Sequence, residues 1–270
     1  MELDASFIRM PGEDLYFICQ MIDRSLKDGL TYARNIDGFM GDAACGILLQ
    51  SYPKYNPLHQ YIEYVVESVI WEDNKHELQD VINEYASPWR GKIWVDHLLE
   101  AHKFDISLLK WHENNQEKND VEDYFQYLGE QGVLEDLLEL VSKEVFHVLF
   151  SNRKILQNFG EHAAFQILET APSFYPEKLT SKGYLKRTSI PQWAKNAIFH
   201  RDKGMCSNCK TNLTHLVNLQ GKLHFDHRIP LAKGGMNDVI NLQLLCESCN
   251  LHKSSKNQNS SLEYESWYKY

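Results

Sequence analysis

The chain has no apolar run approaching the roughly eighteen residues that a membrane span requires, and its first residues, MELDASFIRM, carry neither a basic n-region nor an apolar h-region. These absences predict a cytoplasmic protein with no membrane partner. Without an export signal, paired cysteines are expected to bind metal rather than form disulfides. Internal repeats are also missing. Basic residues are scarce through most of the chain: residues 1–180 hold 31 Asp and Glu against 15 Lys and Arg, a net charge of −16. The balance then reverses, because residues 181–270 hold 6 acidic and 13 basic residues, a net charge of +7. An acidic body carrying a basic C-terminal module suits a phosphate-binding unit joined to one that does not bind nucleic acid.

Up to about Asn158 the apolar residues recur at helical spacing. Leu58, Ile62, Val65, Val66, Val69 and Ile70 form one stripe, and Leu78, Val81, Ile82 and Tyr85 form another that stops at Ser87-Pro88. Ile93 to Trp111 reads as a helix broken near Asp105, Glu113 to Asp120 as a solvated loop, and Val121–Leu128 and Leu134–Phe150 as further helices. We therefore expect an all-α domain over 1–170. His97, His102, His112, His147 and His162 lack the i, i+4 spacing of a helical metal site and are expected at the surface or satisfied in the core. Glu135, Asp136 and Glu139 read as a solvated helix face; Trp71, Trp89, Trp94 and Trp111 read as core; and Cys19 and Cys45 read as small buried hydrophobes. Pro172, Pro176 and the polar run that follows announce a linker over 171–187. Ile190 to Asp202 then reads as a short helix with Pro191 near its start. The tail, 257–270, ends in Tyr264, Trp267, Tyr268 and Tyr270.

The chemistry is concentrated between Met205 and Lys256. Cys206-x-x-Cys209 and Cys246-x-x-Cys249 can bring four thiolates to one tetrahedral Zn²⁺, a structural site whose binding energy helps fold a small module. The 36 residues between Cys209 and Cys246 exceed a zinc-ribbon gap, so something is inserted. Lys222 to His227 alternates like a strand, Pro230 to Gly235 reads as a loop, Asn241 to Leu245 as a second strand, and Glu247 to Lys256 as a helix. Phosphodiester hydrolysis needs a base for water, a cation for the phosphate, and groups that align them. Asp226 and Asn250 offer oxygen ligands to a hard ion such as Mg²⁺, His227 offers a general base, and Asn241 can hydrogen-bond across the loop and hold the imidazole tautomer. Arg228, Lys233, Lys253 and Lys256 flank the site as phosphate contacts or solvated surface. His215 and His224 are expected to be structural or exposed.

This pattern resembles the HNH endonuclease family with its ββα-metal fold. The resemblance is carried by Cys206-x-x-Cys209, Asp226-His227-x-Ile229-Pro230-Leu231-x-Lys233-Gly234-Gly235-x-Asn237-Asp238, Asn241-Leu242 and Leu245-Cys246-x-x-Cys249-Asn250-x-x-Lys253, with Ile190-Pro191 and Arg201-Asp202 upstream. It covers residues 188–256 only. It implies an α+β, mostly α chain: an all-α N-terminal domain followed by a zinc-stabilised ββα-metal domain. It further implies His227 as general base, Asn241 as positioning residue, Asp226 and Asn250 as ligands of a catalytic Mg²⁺ or Mn²⁺, and Zn²⁺ on the four cysteines. Asn250 stands where the motif often has His, a departure that favours a hard ion. The expected activity is DNA cleavage leaving 5′-phosphate and 3′-hydroxyl ends. The architecture suits a restriction or anti-phage effector whose acidic helical domain meets a protein partner or regulator. The alternatives are an RNA-cleaving toxin, or a non-catalytic zinc module that binds nucleic acid or protein.

Overall fold

A computed structural model describes residues 8–27, 34–41, 46–85, 93–105, 121–214, 222–253 and 261–262, without the side chains of 72–85, 121 and 122. Among these residues the chain is mostly helical with one two-stranded sheet. The helices are α1 (Gly12–Lys27), α2 (Ile36–Phe39), α3 (Pro57–Tyr85), α4 (Trp94–Ala101), α5 (Val121–Glu130), α6 (Val133–Leu149), α7 (Arg153–Phe174), α8 (Gln192–Arg201) and α9 (Glu247–His252). The strands are β1 (His224–His227) and β2 (Leu242–Leu245). No helix among the described residues is long and apolar enough to cross a membrane.

Contacts divide the chain into two compact units, one of residues 1–35 and 59–148, the other of residues 36–58 and 149–270. Residues 149–170, expected at the end of the helical domain, fall in the second unit. In the first unit the apolar stripe of α3 is buried as its spacing predicts, with Ile62, Val66 and Ile70 fully enclosed alongside Tyr61. Several polar groups in that core are paired. Tyr124 donates to Asp96 Oδ1 at 2.6 Å, Tyr61 donates to Ser25 Oγ at 2.7 Å, and Glu144 accepts the backbone N–H groups of Arg9 and Met10 and sits 3.2 Å from His102. Glu135, Asp136 and Glu139 are exposed and Cys19 is buried, as expected. Trp71 and Trp94 are half-buried. The readings for the Glu113–Asp120 loop, Ser87-Pro88, Cys45, Trp89, Trp111, His112, His215 and the terminal aromatics lie outside the described residues.

The second unit is built on α7. Asn152 caps this helix by accepting from the N–H groups of Lys154 and Ile155. Pro172, read as a helix breaker, sits instead in its last turn, and the helix runs on to Phe174. A 3₁₀ turn at Pro176–Lys178 follows, and a bridge between Leu179 and Leu185 closes a small hairpin with Gly183 at φ 77°. The stretch expected as a linker is thus hydrogen-bonded structure with Leu179 and Leu185 buried. Helix α8 starts after Pro191 and ends at Asp202, leading into the first cysteine pair. β1 pairs antiparallel with β2, His224 opposite Leu245 and His227 opposite Leu242, and α9 begins at the second pair. Small residues on the buried face of α7 admit the loop between the strands: Gly160 lies against Ile229, and Gly234, at φ 81°, packs so closely on Ala164 that a Cβ there would stand 2.4 Å from its carbonyl oxygen.

Candidate nuclease site

The cysteine turns come first, because the sequence makes them tight. Lys210 adopts φ 61° and donates to the Cys206 carbonyl at 3.0 Å, folding one knuckle, while Cys249 N–H donates to Cys246 Sγ at 3.4 Å in the other. All four sulfurs lie within 4.8 Å of one another, and Cys209 and Cys246 approach to 3.7 Å. Sulfurs around a tetrahedral zinc at about 2.3 Å are roughly 3.8 Å apart, so this donor set fits the ion. Burial opposes ionisation of Cys209, but the hydroxyl and N–H of Thr211 and the neighbouring cysteines outweigh it and bring its pKa down to about 6. A thiolate is what zinc takes. The described residues contain no other such cluster of metal-binding side chains.

Behind the first knuckle lies a buried ion network that the sequence gives no direct sign of. Asp202 accepts from Arg201 through both oxygens at 3.0 Å, from Arg153 at 3.3 Å, from Ser207 Oγ at 3.0 Å and from Leu244 N–H at 2.9 Å. Burial opposes its charge, yet the two guanidinium groups and the Leu244 N–H hold its pKa below the ordinary value. One carboxylate thereby ties α8, α7, the knuckle and β2 together.

The loop from β1 to β2 is held by Asn241. Its Oδ1 accepts from Ile229 N–H at 2.9 Å, and its Nδ2 donates to the carbonyls of Ile229 and Met236, both at 3.0 Å. Asn241 was expected both to bond across the loop and to hold the imidazole of His227; it does the first, while Asn237 meets the ring, with its Oδ1 3.3 Å from His227 Nε2. The reason is steric: Asn241 is fully engaged across the loop neck, while Asn237 is anchored by donating to Lys186 O at 2.8 Å and faces the ring. Nε2 must therefore carry the proton, which leaves the lone pair on Nδ1, a buried atom with no protein partner. His227 is only 3 % exposed, and its pKa is lowered to about 4, first by burial and next by the positive charge of Arg187, against the pull of Asp226. The ring is neutral at physiological pH and able to accept a proton.

His227 lines a cleft of about 600 Å³ with Asp226, Asn250, His224, Arg187 and Lys253. Asp226 comes from β1 and Asn250 from α9, so the antiparallel pair and the helix that follows it bring the two together. Lys253 donates to Asp226 Oδ2 at 2.7 Å, and among the described residues Oδ1 and the Asn250 amide oxygen accept no bond from another group. These two oxygens are of the type a hard divalent cation takes, and such an ion would share the carboxylate with the Lys253 ammonium.

The basic residues divide. Arg228 is buried and donates to Arg153 O at 2.9 Å, so it does not form the phosphate-contacting surface expected of it. Lys253 also turns inward, its side chain 5 % exposed and its ammonium on Asp226 and the His227 carbonyl, because burial rewards pairing over solvent. Lys233 is exposed as expected, and Lys256 lies outside the described residues. Sequence reasoning assigned no role to Arg187, and none to Asn237 or Asp202 although both stand among the residues that carry the resemblance; it set His224 aside as structural or exposed, though it stands two residues before Asp226 on one strand face. No curated protein and no solved structure matches this chain. Both cysteine pairs and the strand and helix that line the cleft fall within residues 206–256, which match the family model for the HNH endonuclease, and this segment is accordingly an HNH endonuclease domain.

Proposed function

We propose that the chain is a metal-dependent endonuclease that hydrolyses DNA phosphodiester bonds in the cleft at His227. The observation that carries this reading is a neutral, buried imidazole with one free nitrogen, in the same cleft as two oxygen donors from separate elements. His227 Nδ1 takes a proton from water, the hydroxide oxygen bonds to phosphorus, and the bond from phosphorus to the 3′ oxygen breaks. The leaving oxygen acquires a proton from solvent. Asn237 keeps the ring in the reacting tautomer, and Asn241 keeps the loop that presents it. Asp226 and Asn250 would hold Mg²⁺ or Mn²⁺, which supplies Lewis-acid stabilisation of the phosphate and the 3′ oxygen. Arg187, exposed on the hairpin wall, supports the reading by adding positive charge to the cleft.

Plasmid nicking with Mg²⁺ or Mn²⁺ tests it. We expect His227→Ala to lose about 10²–10⁴-fold in rate with its zinc content unchanged. Equal nicking by wild type and variant would sink the mechanism and leave a zinc module that binds without cutting. Cleavage of RNA in place of plasmid would move the substrate class and keep the chemistry. The acidic helical part, by its charge and its separate core, supports a further reading as the partner-facing or regulatory part of a defence effector. Its capture of a defined partner subunit is the corresponding test.

A further inference from the structure

We propose that His224 is a third ligand of the cation site at Asp226 and Asn250, and that it gives this site a preference for a transition ion such as Mn²⁺ over Mg²⁺. The identity of the site rests on the nuclease reading; the ligation can be measured without it.

His224 and Asp226 are two residues apart on β1 and share one face of the strand, a spacing at which two side chains can converge on one ion. Both line the cleft with Asn250. Nδ1 of His224 lies 3.3 Å from the side-chain amide of Asn250. Neighbouring donors around an octahedral ion with bonds of about 2.1 Å stand about 3 Å apart. Ring and amide are therefore already placed as adjacent ligands once the amide presents its oxygen.

As a structural histidine, His224 is poorly satisfied. Nδ1, the nitrogen assigned to the ion, meets only the Asn250 amide among the described residues, while Nε2 is buried. The proton-transfer scheme does not use this ring. An imidazole added to two oxygens also changes what the site selects, because nitrogen donors raise affinity for first-row transition ions far more than for Mg²⁺.

The test uses the full-length, zinc-loaded protein titrated with Mn²⁺ and read by pulsed electron paramagnetic resonance. Wild type should show ¹⁴N coupling from a directly bound nitrogen, and Asp226→Ala should lose the bound Mn²⁺, which assigns the site. In His224→Ala the ¹⁴N coupling should vanish and Mn²⁺ affinity should fall about tenfold or more, with Mg²⁺ affinity within about twofold of wild type. His224→Gln repeats the measurement with a side chain of similar reach, and zinc content with far-ultraviolet circular dichroism reports folding. Mn²⁺ bound at Asp226 without ¹⁴N coupling in the wild type overturns the proposal, and so does unchanged Mn²⁺ affinity in both variants. Failure of the nuclease reading looks different: plasmid is not nicked, or is nicked equally by His227→Ala, while the nitrogen coupling persists.

Discussion

His59 stacks on Phe146 with ring centroids 3.7 Å apart, and burial together with the charge of Lys143 lowers its pKa from 6.5 to about 4. Asp238, in the other unit, is enclosed, and burial raises its pKa from 3.8 to about 7 despite bonds from Ile240 N–H and Asn56. The two groups oppose each other in sign. Between pH 6.5 and 4 the unfolded chain takes up a proton that folded His59 refuses, so stability present above pH 6.5 is lost on acidification. Folded Asp238 keeps a proton that the unfolded chain releases above 3.8, so its contribution is full at low pH and lost as pH rises through 7. Each effect is on the order of 3–4 kcal/mol over its whole window. Between pH 4 and 6.5 the two slopes oppose each other, so wild-type urea midpoints should change little there; His59→Leu should uncover a fall as pH rises from 4 to 7, and Asp238→Asn a fall as pH drops from 6.5 to 4. Unchanged pH profiles in both variants would refute this account. At this scale Asp226, His227 and Asn250 were legible because their chemistry resides in residue type and spacing. Asn237 and Asp202 were not, because an asparagine or an aspartate acquires such a role only from what packs against it.

Elements are joined in the second unit by two devices, each open to mutation. Gly235 lets the loop cross itself: a Cβ there would stand 1.9 Å from Ile229 O and 2.9 Å from Asn241 Nδ2. Gly235→Ala should therefore force the Asn241 clasp apart, destabilising by about 3 kcal/mol and cutting nicking with it. A melting temperature within a degree of wild type would contradict this. Asp202 binds four segments through one buried carboxylate, and Asp202→Ala leaves Arg153 and Arg201 without their shared anion. That should cost about 3–5 kcal/mol in denaturant unfolding, and a loss below 1 kcal/mol would show that the network is dispensable. The sequence reads α5 and α6 well because their apolar periodicity is strong; α3 runs as one helix through two stripes read apart, and α8 is announced by Pro191 near its start. It misjudges the end of α7, since a proline in the last turn of a helix forgoes a hydrogen bond without breaking the structure.

Over the whole molecule, the four cysteines all belong to the second unit, and none of them lies in the first. Zinc analysis should give one ion per chain, held through extensive dialysis. Removing it with a strong chelator should abolish nicking and unfold the knuckles while most of the helical dichroism remains, because metal binding there is folding energy. Loss of all helical signal on chelation would show instead that the two cores are coupled. The sequence by itself determined the helical character, the family resemblance and the pairing of four cysteines that the structure brings together, because periodicity, spacing and residue type are local properties. Tertiary structure alone decided that α7 belongs with the nuclease domain, that Arg228 and Lys253 turn inward, and that Asn237 rather than Asn241 faces the imidazole. Those outcomes depend on close approach between segments distant along the chain, where burial makes an unpaired charge or donor costly and the nearest available partner takes it.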